Sequence, residues 1–411
     1  MTSSANLPNS ESTLSSSALA LLWFGAAVSL AEILTGTFLA PLGFEQGVKA
    51  ILLGHVIGGV LFWLAGYIGA KTGKPAMETV KRSFGQRGSM IFSLANVVQL
   101  VGWTAIMVAS GAAAAQYLVP QLGAAGWSLT IGALIALWIA LDLKKMSRLQ
   151  SFASILLLLL TVLLSFVIFN GEAATLPSSA AQTLSFGAAV ELSVAMPLSW
   201  LPLVSDYTRS ARRAGWGTTS ATLAYFVGSC WMFIIGLGAA LFAGSGDVAV
   251  IMASAGLGVA AILIVVFSTV TTTFLDAASA GISAASISPK LNERHAGITA
   301  VALGTALAIF APVNNFMDFL FLIGSVFAPM IAILCVDFFL LKQDASQQSF
   351  NWRNLVLWLG GFALYRYSMS WDFVLGNTVP VMLIVAAATL AVGLLMRKLR
   401  PAGEVVLAGQ D

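Results

Sequence analysis

The sequence predicts an all-α polytopic membrane protein with twelve transmembrane helices. Hydrophobic residues make up 58% of the 411 residues and charged residues only 9%, whereas ordinary globular domains contain about 25% charged residues. A helix needs roughly 20 apolar residues to cross the hydrocarbon core of a bilayer, and runs of that length recur along the whole chain. The lipid bilayer is therefore the expected surroundings of the protein.

Twelve apolar runs account for most of the chain and define the predicted helices. In order, they cover 18–43, 46–70, 89–119, 127–142, 150–170, 184–206, 217–243, 256–286, 297–311, 315–341, 352–371 and 378–397. Residues 1–17 are rich in serine and carry no basic residue, unlike the start of a secretory signal. They are predicted to form a disordered cytoplasmic tail, and residues 398–411 a second cytoplasmic tail.

Basic residues alternate between connections, and this alternation predicts the orientation in the membrane. All of the 20 lysines and arginines except Lys49 and Arg366 lie in the tails or in every second connection. The connections between these hold none, namely 120–126, 170–183, 244–247 and 311–315. Because cytoplasmic loops carry the Lys/Arg excess, both termini are predicted to be cytoplasmic, with the protein in the inner (cytoplasmic) membrane.

The first and sixth predicted helices are interrupted, at Glu32–Gly36 and at Met196–Pro202. These positions are equivalent if the chain contains two sets of five helices, 18–170 and 184–341, followed by two additional helices in 352–397. An odd number of helices per set would invert the second set in the membrane. Interrupted helices at matching positions of inverted repeats indicate a transporter binding site near the bilayer midplane.

The sixth helix carries the clearest interruption. Pro197 and Pro202 each lack a backbone donor and disturb the preceding helical turn. Carbonyl groups freed at membrane depth need a partner, which a cavity filled by water or ligand provides. Ser199 and Trp200, between the two prolines, are therefore predicted to contact a substrate. A proline kink in an otherwise packed helix is the alternative.

Two acids lie well inside apolar runs, Glu32 and Asp276. An ionisable group at the centre of a membrane helix costs about 2.5–3.5 kcal/mol on insertion scales, so a function is the default expectation. A protonated or hydrogen-bonded structural carboxyl group is the alternative. In the third helix, Gln99 and Trp103 lie one turn apart and would suit a planar heterocycle, although core packing also explains a tryptophan there.

No motif for catalysis or for a metal cluster is present. Cys230 and Cys335 lie within apolar runs and are predicted to be buried free thiols, while His55 and His295 are too far apart to suggest a metal site. The net charge of +3 reflects the loop bias, so no nucleic acid is expected to bind. Neither an enzyme activity nor a cofactor nor a protein partner is predicted.

Three motifs suggest a family: Trp23–Ala27, Val101–Trp103 and, at the end of the sixth helix, Ser205–Arg209 with the sequence Ser-Asp-Tyr-Thr-Arg. With these motifs the chain resembles, over roughly 18–400, nucleobase–cation symporter family 1. That family includes the cytosine, allantoin and hydantoin permeases. The stretch Thr271–Asp276 resembles the subgroup of CytX-type hydroxymethylpyrimidine permeases.

The resemblance implies the leucine-transporter fold, a five-plus-five inverted repeat that works by alternating access. In that fold the substrate lies between the interrupted first and sixth helices and the third and eighth helices. Alignment with the family places Glu32, Trp103 and Ser199 at substrate-contacting positions. It places Val28 and Ala31 where relatives offer carbonyl oxygens to sodium.

The resemblance leaves two registers open for the eighth helix, where hydroxyl groups cluster in residues 268–273. One register assigns the sodium ligands to Ser268 and Thr269. The other assigns Thr271 to the ion and Asp276 to the substrate. Such hydroxyl groups also bond back to their own helix. Sodium is the expected coupling ion, and protons are the alternative because two intramembrane acids are available.

The acid at position 32 points to a small heterocyclic substrate with hydrogen-bond donors. A 4-aminopyrimidine presents an amino donor beside a ring nitrogen that can accept or carry a proton, and a carboxylate can bond both in a bidentate arrangement. The prediction is therefore import of hydroxymethylpyrimidine, a thiamine precursor, with cytosine or another nucleobase as the alternative. An amino-acid permease of the same fold is disfavoured because Glu32 would repel a substrate carboxylate.

Overall fold

The structure is a computed structural model that describes residues 13–141, 143–170, 184–242, 247–254, 256–311 and 316–399. In these residues the α-helices are α1 Ser16–Ala27, α2 Leu30–Thr37, α3 Gly43–Thr72, α4 Ala76–Phe84, α5 Ser89–Leu118, α6 Gly123–Ala140, α7 Leu143–Phe169, α8 Phe186–Ser199, α9 Val204–Thr208, α10 Ala214–Phe242, α11 Val248–Ser254, α12 Gly258–Ile287, α13 Glu293–Phe310, α14 Phe316–Cys335, α15 Trp352–Ser368 and α16 Thr378–Leu399. Most of the predicted connection 170–183 and of both predicted tails lies outside the described residues.

The helices assemble into twelve segments in the predicted order. The first segment is α1 with α2, the sixth is α8 with α9, and the tenth is α14 with the π-helical turn Val336–Leu341. Within the described ranges, eight helices are long and apolar enough to cross a membrane, and α1 with α2 makes a ninth span bent by 51°. The α8–α9 pair, α13 and α15 complete the set.

The predicted disordered tail is ordered where it meets α1. The backbone N–H of Leu14 donates to the carbonyl of Ser210 at 2.6 Å, and the Leu14 carbonyl accepts from Arg212 at 3.0 Å. Ser15 then caps α1, because its hydroxyl accepts from the N–H of Ala18 at 3.1 Å. The prediction of disorder is wrong for this end of the tail, since backbone pairing and a helix cap hold it in place.

The interruption of the first segment lies at Val28 and Ser29, earlier than predicted. Val28 leaves the helical conformation, and Ser29 caps α2 by accepting a hydrogen bond from the N–H of Glu32 at 3.2 Å. Serine is a preferred N-cap residue. Gly36 does not break the helix: a Cβ atom there would lie 2.2 Å from the carbonyl oxygen of Phe233. The glycine therefore permits close packing of α2 on α10.

The interruption of the sixth segment lies where it was predicted. Helix α8 ends at Ser199, and α9 begins at Val204 after a short turn. Two freed carbonyls meet the third segment, as Asn96 donates to Pro202 at 3.1 Å and Gln99 donates to Ser199 at 3.4 Å. Side-chain amides thus satisfy backbone groups that would otherwise be unpaired inside the membrane.

The connection after the second segment contains a helix that the sequence patterns did not reveal, α4. Its first N–H, from Ala76, donates to the Asp206 carboxylate at 2.8 Å, so the motif that ends the sixth segment caps this helix. Helix α11 follows the seventh segment at the matching place. The two short helices therefore lie at equivalent places of the two predicted sets of five helices.

The segments form two groups that face each other. Helices α1, α2, α3, α8 and α10 pack together, and α5, α6, α12 and α13 form the second group. Helices α14 to α16 pack on one another, and α14 contacts α8. Both interruptions belong to the first group and face α5 and α12 of the second group. The space at the interruptions is therefore enclosed by the first, third, sixth and eighth segments.

Candidate functional site

An enclosed cavity lies at the two interruptions. It is lined by five of the six residues predicted to contact a substrate, namely Glu32, Trp103, Ser199, Trp200 and Asp276, and also by Ser29, Ala31, Met107, Met196 and Thr272. Its free volume of about 10 Å³ is room for a single water molecule. A heterocyclic ring would need the lining side chains to move, so this conformation is closed around the cavity.

Asp276 enters the cavity from the middle of α12. Its side chain is 4% exposed, and it makes no hydrogen bond with any part of the chain that the structure describes. A buried carboxyl group without a partner is costly. The two carboxyl oxygens of Asp276 are therefore free to accept hydrogen bonds from a ligand.

Glu32 lines the same cavity, but its carboxyl group already has protein partners. Tyr225 donates to one oxygen at 2.7 Å, and Ser229 contacts the other at 2.7 Å. Ser229 in turn lies 2.6 Å from Nε2 of His55 on α3. Glu32 thus lies at the cavity, but its hydrogen bonds to α10, and through Ser229 to α3, were not predicted from the sequence. A bidentate contact with a substrate would compete with these bonds.

Tryptophans form two sides of the cavity. Trp103 packs edge-on against Phe316 and Phe319 of α14, with ring centroids 5.7 and 5.5 Å apart. Trp200 packs edge-on against Trp23 at 5.3 Å. These edge-to-face contacts hold each indole in place. Rings held this way can stack on a planar ligand.

Gln99 does not line the cavity, so its predicted role as a direct contact is not supported. Its amide nitrogen donates to Asn96 at 2.7 Å and to the carbonyl of Ser199. Ser199 does line the cavity, and its hydroxyl donates to the carbonyl of Met196 at 2.7 Å. Gln99 instead holds the interrupted end of α8 against α5.

The hydroxyl cluster of α12 meets the first interruption through a residue that neither predicted register selected. Thr272 donates toward the carbonyls of Ala26 and Gly25, at 3.3 and 3.5 Å. The hydroxyls of Ser268 and Thr271 bond to carbonyls of their own helix. Thr272 is therefore the hydroxyl best placed to share a cation with the carbonyls of α1.

The remaining predicted cation ligands differ in their suitability. Thr269 lies against α5, where a Cβ atom on Gly111 would be 2.8 Å from its hydroxyl oxygen. The carbonyl of Ala31 accepts from the Thr35 hydroxyl at 2.7 Å, in addition to the backbone bond of α2, so Ala31 is unsuited to the cation site. Val28 ends α1, where the last carbonyls have no helical partner and remain available.

The cavity between two interrupted helices, with aromatic walls and a buried acid, indicates a carrier of small planar molecules. Residues 6–399 match the family model described as "Permease for cytosine/purines, uracil, thiamine, allantoin". The chain belongs to this permease family. It is accordingly a membrane permease and not an enzyme.

Curated relatives of this permease cover most of its length. The cytosine permease of Escherichia coli (strain K12) is 26% identical over 353 residues, which are 82% of each chain. The cytosine permease of Escherichia coli O157:H7 matches to the same extent. These relatives share the family with this permease, and at such identity they leave its own substrate open.

Solved structures confirm the predicted fold. A transporter of the nucleobase-cation-symport-1 family, in a closed conformation with bromovinylhydantoin bound, covers 94% of both chains at 18% identity with a TM-score of 0.75. A Na⁺-coupled sialic acid symporter in a substrate-bound outward-open state covers 95% of this permease and 91% of its own chain, at 13% identity and a TM-score of 0.70. This permease is thus a multi-pass integral membrane protein with the leucine-transporter-like fold.

Proposed function

We propose that this permease imports hydroxymethylpyrimidine, a thiamine precursor, together with a cation by alternating access. The observation that carries the proposal is Asp276, a buried carboxyl group that lines the cavity without a hydrogen-bond partner in the described residues. An aminopyrimidine offers an amino donor beside a ring nitrogen. Asp276 accepts from that edge, and charge assistance strengthens the contact.

The walls of the cavity supply the rest of the recognition. Trp103 and Trp200 pack against the substrate ring, and the Ser199 hydroxyl contacts the polar edge of that ring. Glu32 lies next to this edge and adds a further acceptor, although Tyr225 and Ser229 already occupy part of its capacity. Direct readout of the amino group therefore rests on Asp276 first and on Glu32 second.

Sodium is the first choice for the coupled cation. Small hard cations bind to oxygen ligands. The hydroxyl of Thr272 meets the carbonyls of Gly25 and Ala26 at the end of α1, and Val28 ends the same helix, so these oxygens are the proposed ligands. Protons are the second choice, because two acids line the cavity beside this site.

Cytosine is the second candidate substrate. It has the same amino group beside a ring nitrogen, and the Escherichia coli cytosine permease is 26% identical over 82% of both chains. The two candidates differ in ring substituents, since hydroxymethylpyrimidine carries a hydroxymethyl group and cytosine a ring carbonyl. The polar contacts alone do not favour one over the other, so substrate shape is the discriminating property.

Competition uptake in proteoliposomes tests the proposal. Purified permease is given one labelled aminopyrimidine together with an excess of unlabelled hydroxymethylpyrimidine, cytosine, uracil or hydantoin. We expect hydroxymethylpyrimidine to compete best, cytosine next, and the two substrates without an amino group least. Equal competition by uracil would contradict recognition through an amino group. Uptake that follows a pH gradient and ignores sodium would contradict sodium coupling.

A further inference from the structure

A continuous chain of buried hydrogen bonds leads from the cavity through α10 to α3. Tyr225 donates to Oε1 of Glu32 at 2.7 Å, Oε2 of Glu32 lies 2.7 Å from Oγ of Ser229, and Oγ lies 2.6 Å from Nε2 of His55. Nδ1 of His55 lies 2.8 Å from the carbonyl oxygen of Ile51. Each of the four side chains is at most 1% exposed.

The hydrogen atoms of this chain can be counted. A backbone carbonyl only accepts, so Nδ1 of His55 carries a hydrogen. The hydroxyl of Ser229 has one hydrogen but makes two bonds, to Glu32 and to His55. A second hydrogen must therefore lie on Oε2 of Glu32 or on Nε2 of His55.

An ionised Glu32 beside a neutral His55 is an unfavourable arrangement. With Glu32 ionised and His55 neutral, one of the two contacts of Ser229 would bring two lone pairs together at 2.6 or 2.7 Å, with no hydrogen between them. It would also leave an unpaired negative charge in the membrane interior, which is costly. None of the ion pairs among the described residues involves Glu32 or His55.

We propose that Glu32, Ser229 and His55 form a proton-binding site that holds one proton beside the cavity. The proton resides on Glu32 or on His55. It passes from Glu32 to His55 when the Oε2–H bond breaks and Oγ of Ser229 takes that hydrogen, while the original O–H bond of Ser229 breaks and its hydrogen forms a covalent N–H bond at Nε2. No atom is gained or lost in this step. The cluster is neutral overall in both forms, which suits its burial.

Other ionisable groups around the site do not replace this proton. Tyr225 and Cys230 face the cluster from α10 and are neutral in their usual state. Asp276 lines the same cavity from α12, and a charge on it would disfavour a second negative charge on Glu32. On α8, Glu191 is directed at Tyr365 and Thr378. The surroundings therefore favour a proton in the cluster.

The site has a consequence for recognition, and this consequence rests on the proposed function. When Glu32 holds the proton, Asp276 is the only ionisable carboxyl group among the residues lining the cavity that is free to be charged. Substrate donors then meet Asp276, and movement of the proton to His55 would turn Glu32 into a second charged acceptor. Proton binding itself does not depend on what is transported.

Spectroscopy of the substrate-free protein in lipid nanodiscs tests the site. The chain has 2 histidines, and His295 is exposed at the start of α13, so His295→Asn leaves His55 as the single histidine for ¹⁵N NMR. Infrared spectra near neutral pH report the carbonyl stretch of a protonated carboxylic acid. We expect either such a band that is lost in Glu32→Gln, or a His55 ring with both nitrogens protonated.

An ionised Glu32 together with a neutral His55 would overturn the proposal. Glu32→Gln keeps the geometry, because its amide donates to Ser229 and its carbonyl accepts from Tyr225. Glu45→Gln is the matched control, since Glu45 is exposed and pairs with Lys49 at the surface, and it should leave the band unchanged. If Glu32→Gln does not fold, two measurements still decide whether the proton is present. They are the NMR spectrum of His295→Asn, in which Glu32, Ser229 and His55 are intact, and the infrared band of the unaltered chain. Because no substrate is present, failure of pyrimidine transport would not affect the result.

Discussion

Two acids line one cavity, and their surroundings give them different roles. Glu32 is bonded to α10, whereas Asp276 has no hydrogen-bond partner among the described residues. A carboxyl group whose two oxygens already hydrogen-bond to protein side chains has less to offer a ligand than one without such bonds. At the scale of single residues, Asp276 is therefore the first position to test.

Asp276→Asn should weaken binding of an aminopyrimidine by about tenfold. Asparagine keeps the shape and one acceptor but loses charge assistance; charged hydrogen bonds contribute about 1.5–3 kcal/mol against about 1 for neutral ones, and 1.4 kcal/mol is one decade of affinity. Titration calorimetry of the purified permease measures the change. Asp318→Asn, an exposed acid on α14, is the control and should bind normally. Unchanged affinity in Asp276→Asn would exclude a direct contact.

Trp103→Ala should weaken every planar substrate by a similar factor, because stacking reads the ring face and not its edge. Stacking on an aromatic side chain is worth about 1–3 kcal/mol per base, so the expected loss is about tenfold or more. Trp103→Phe should retain most of the affinity, and Trp352→Ala, exposed on α15, should have no effect. A loss confined to aminopyrimidines would show that Trp103 contacts the polar edge.

At the scale of helices, the register of α12 decides which hydroxyl meets α1. Thr272→Ala should raise the sodium concentration needed for half-maximal uptake by about fivefold or more, since a lost hydrogen bond or ligand contact costs about 1 kcal/mol. Ser268→Ala should leave the sodium dependence unchanged, because that hydroxyl bonds to its own helix. A changed sodium dependence in Ser268→Ala with an unchanged one in Thr272→Ala would instead support the register that assigns the ion to Ser268.

The packing of α2 on α10 makes a second prediction for helices. Gly36→Ala places a Cβ atom 2.2 Å from the carbonyl oxygen of Phe233, so it should destabilise the protein by about 1–3 kcal/mol. Gly360→Ala is the control, because nothing lies within 4 Å of its Cβ position and alanine favours a helix. Thermal unfolding in detergent should show a lower midpoint for the first variant only. Equal midpoints would mean that the helices separate without cost.

At the scale of the whole molecule, the orientation in the membrane is still a prediction. With both termini cytoplasmic, a cysteine introduced at exposed Gln121 should react with a membrane-impermeant thiol reagent from outside, and one at exposed Lys74 or Lys290 should not. Cys230 and Cys335 are replaced first, because Cys335 is only half-buried rather than buried as predicted. Labelling of the lysine positions from outside intact cells would reverse the topology.

Patterns in the sequence predicted the membrane class, the twelve segments, the family and five of the residues that line the cavity. Each of these follows from local information. Hydropathy over about 20 residues specifies a span, prolines specify an interruption, and an acid in an apolar run marks a functional position. Short motifs then connect the chain to its family. Helix α4 and the early break at Ser29 also had local signals in the sequence. The signal for α4 was a proline before its first residue, in a polar stretch. The signal for the break was a serine N-cap in an ordinary apolar stretch.

The tertiary structure alone decided how the polar groups are paired. Glu32 meets Tyr225 at a separation of 193 residues, and Thr272 meets Ala26 at a separation of 246. Neighbouring residues on a helix point about 100° apart, so a shift of one residue exchanges a side chain that faces the cavity for one that faces the next helix. Periodicity in an almost uniformly apolar helix does not specify that rotation. Only the packing of α2 on α10 and of α12 on α1 does, and it brings Thr272 to the carbonyls of α1 and leaves Asp276 at the cavity without a hydrogen-bond partner among the described residues.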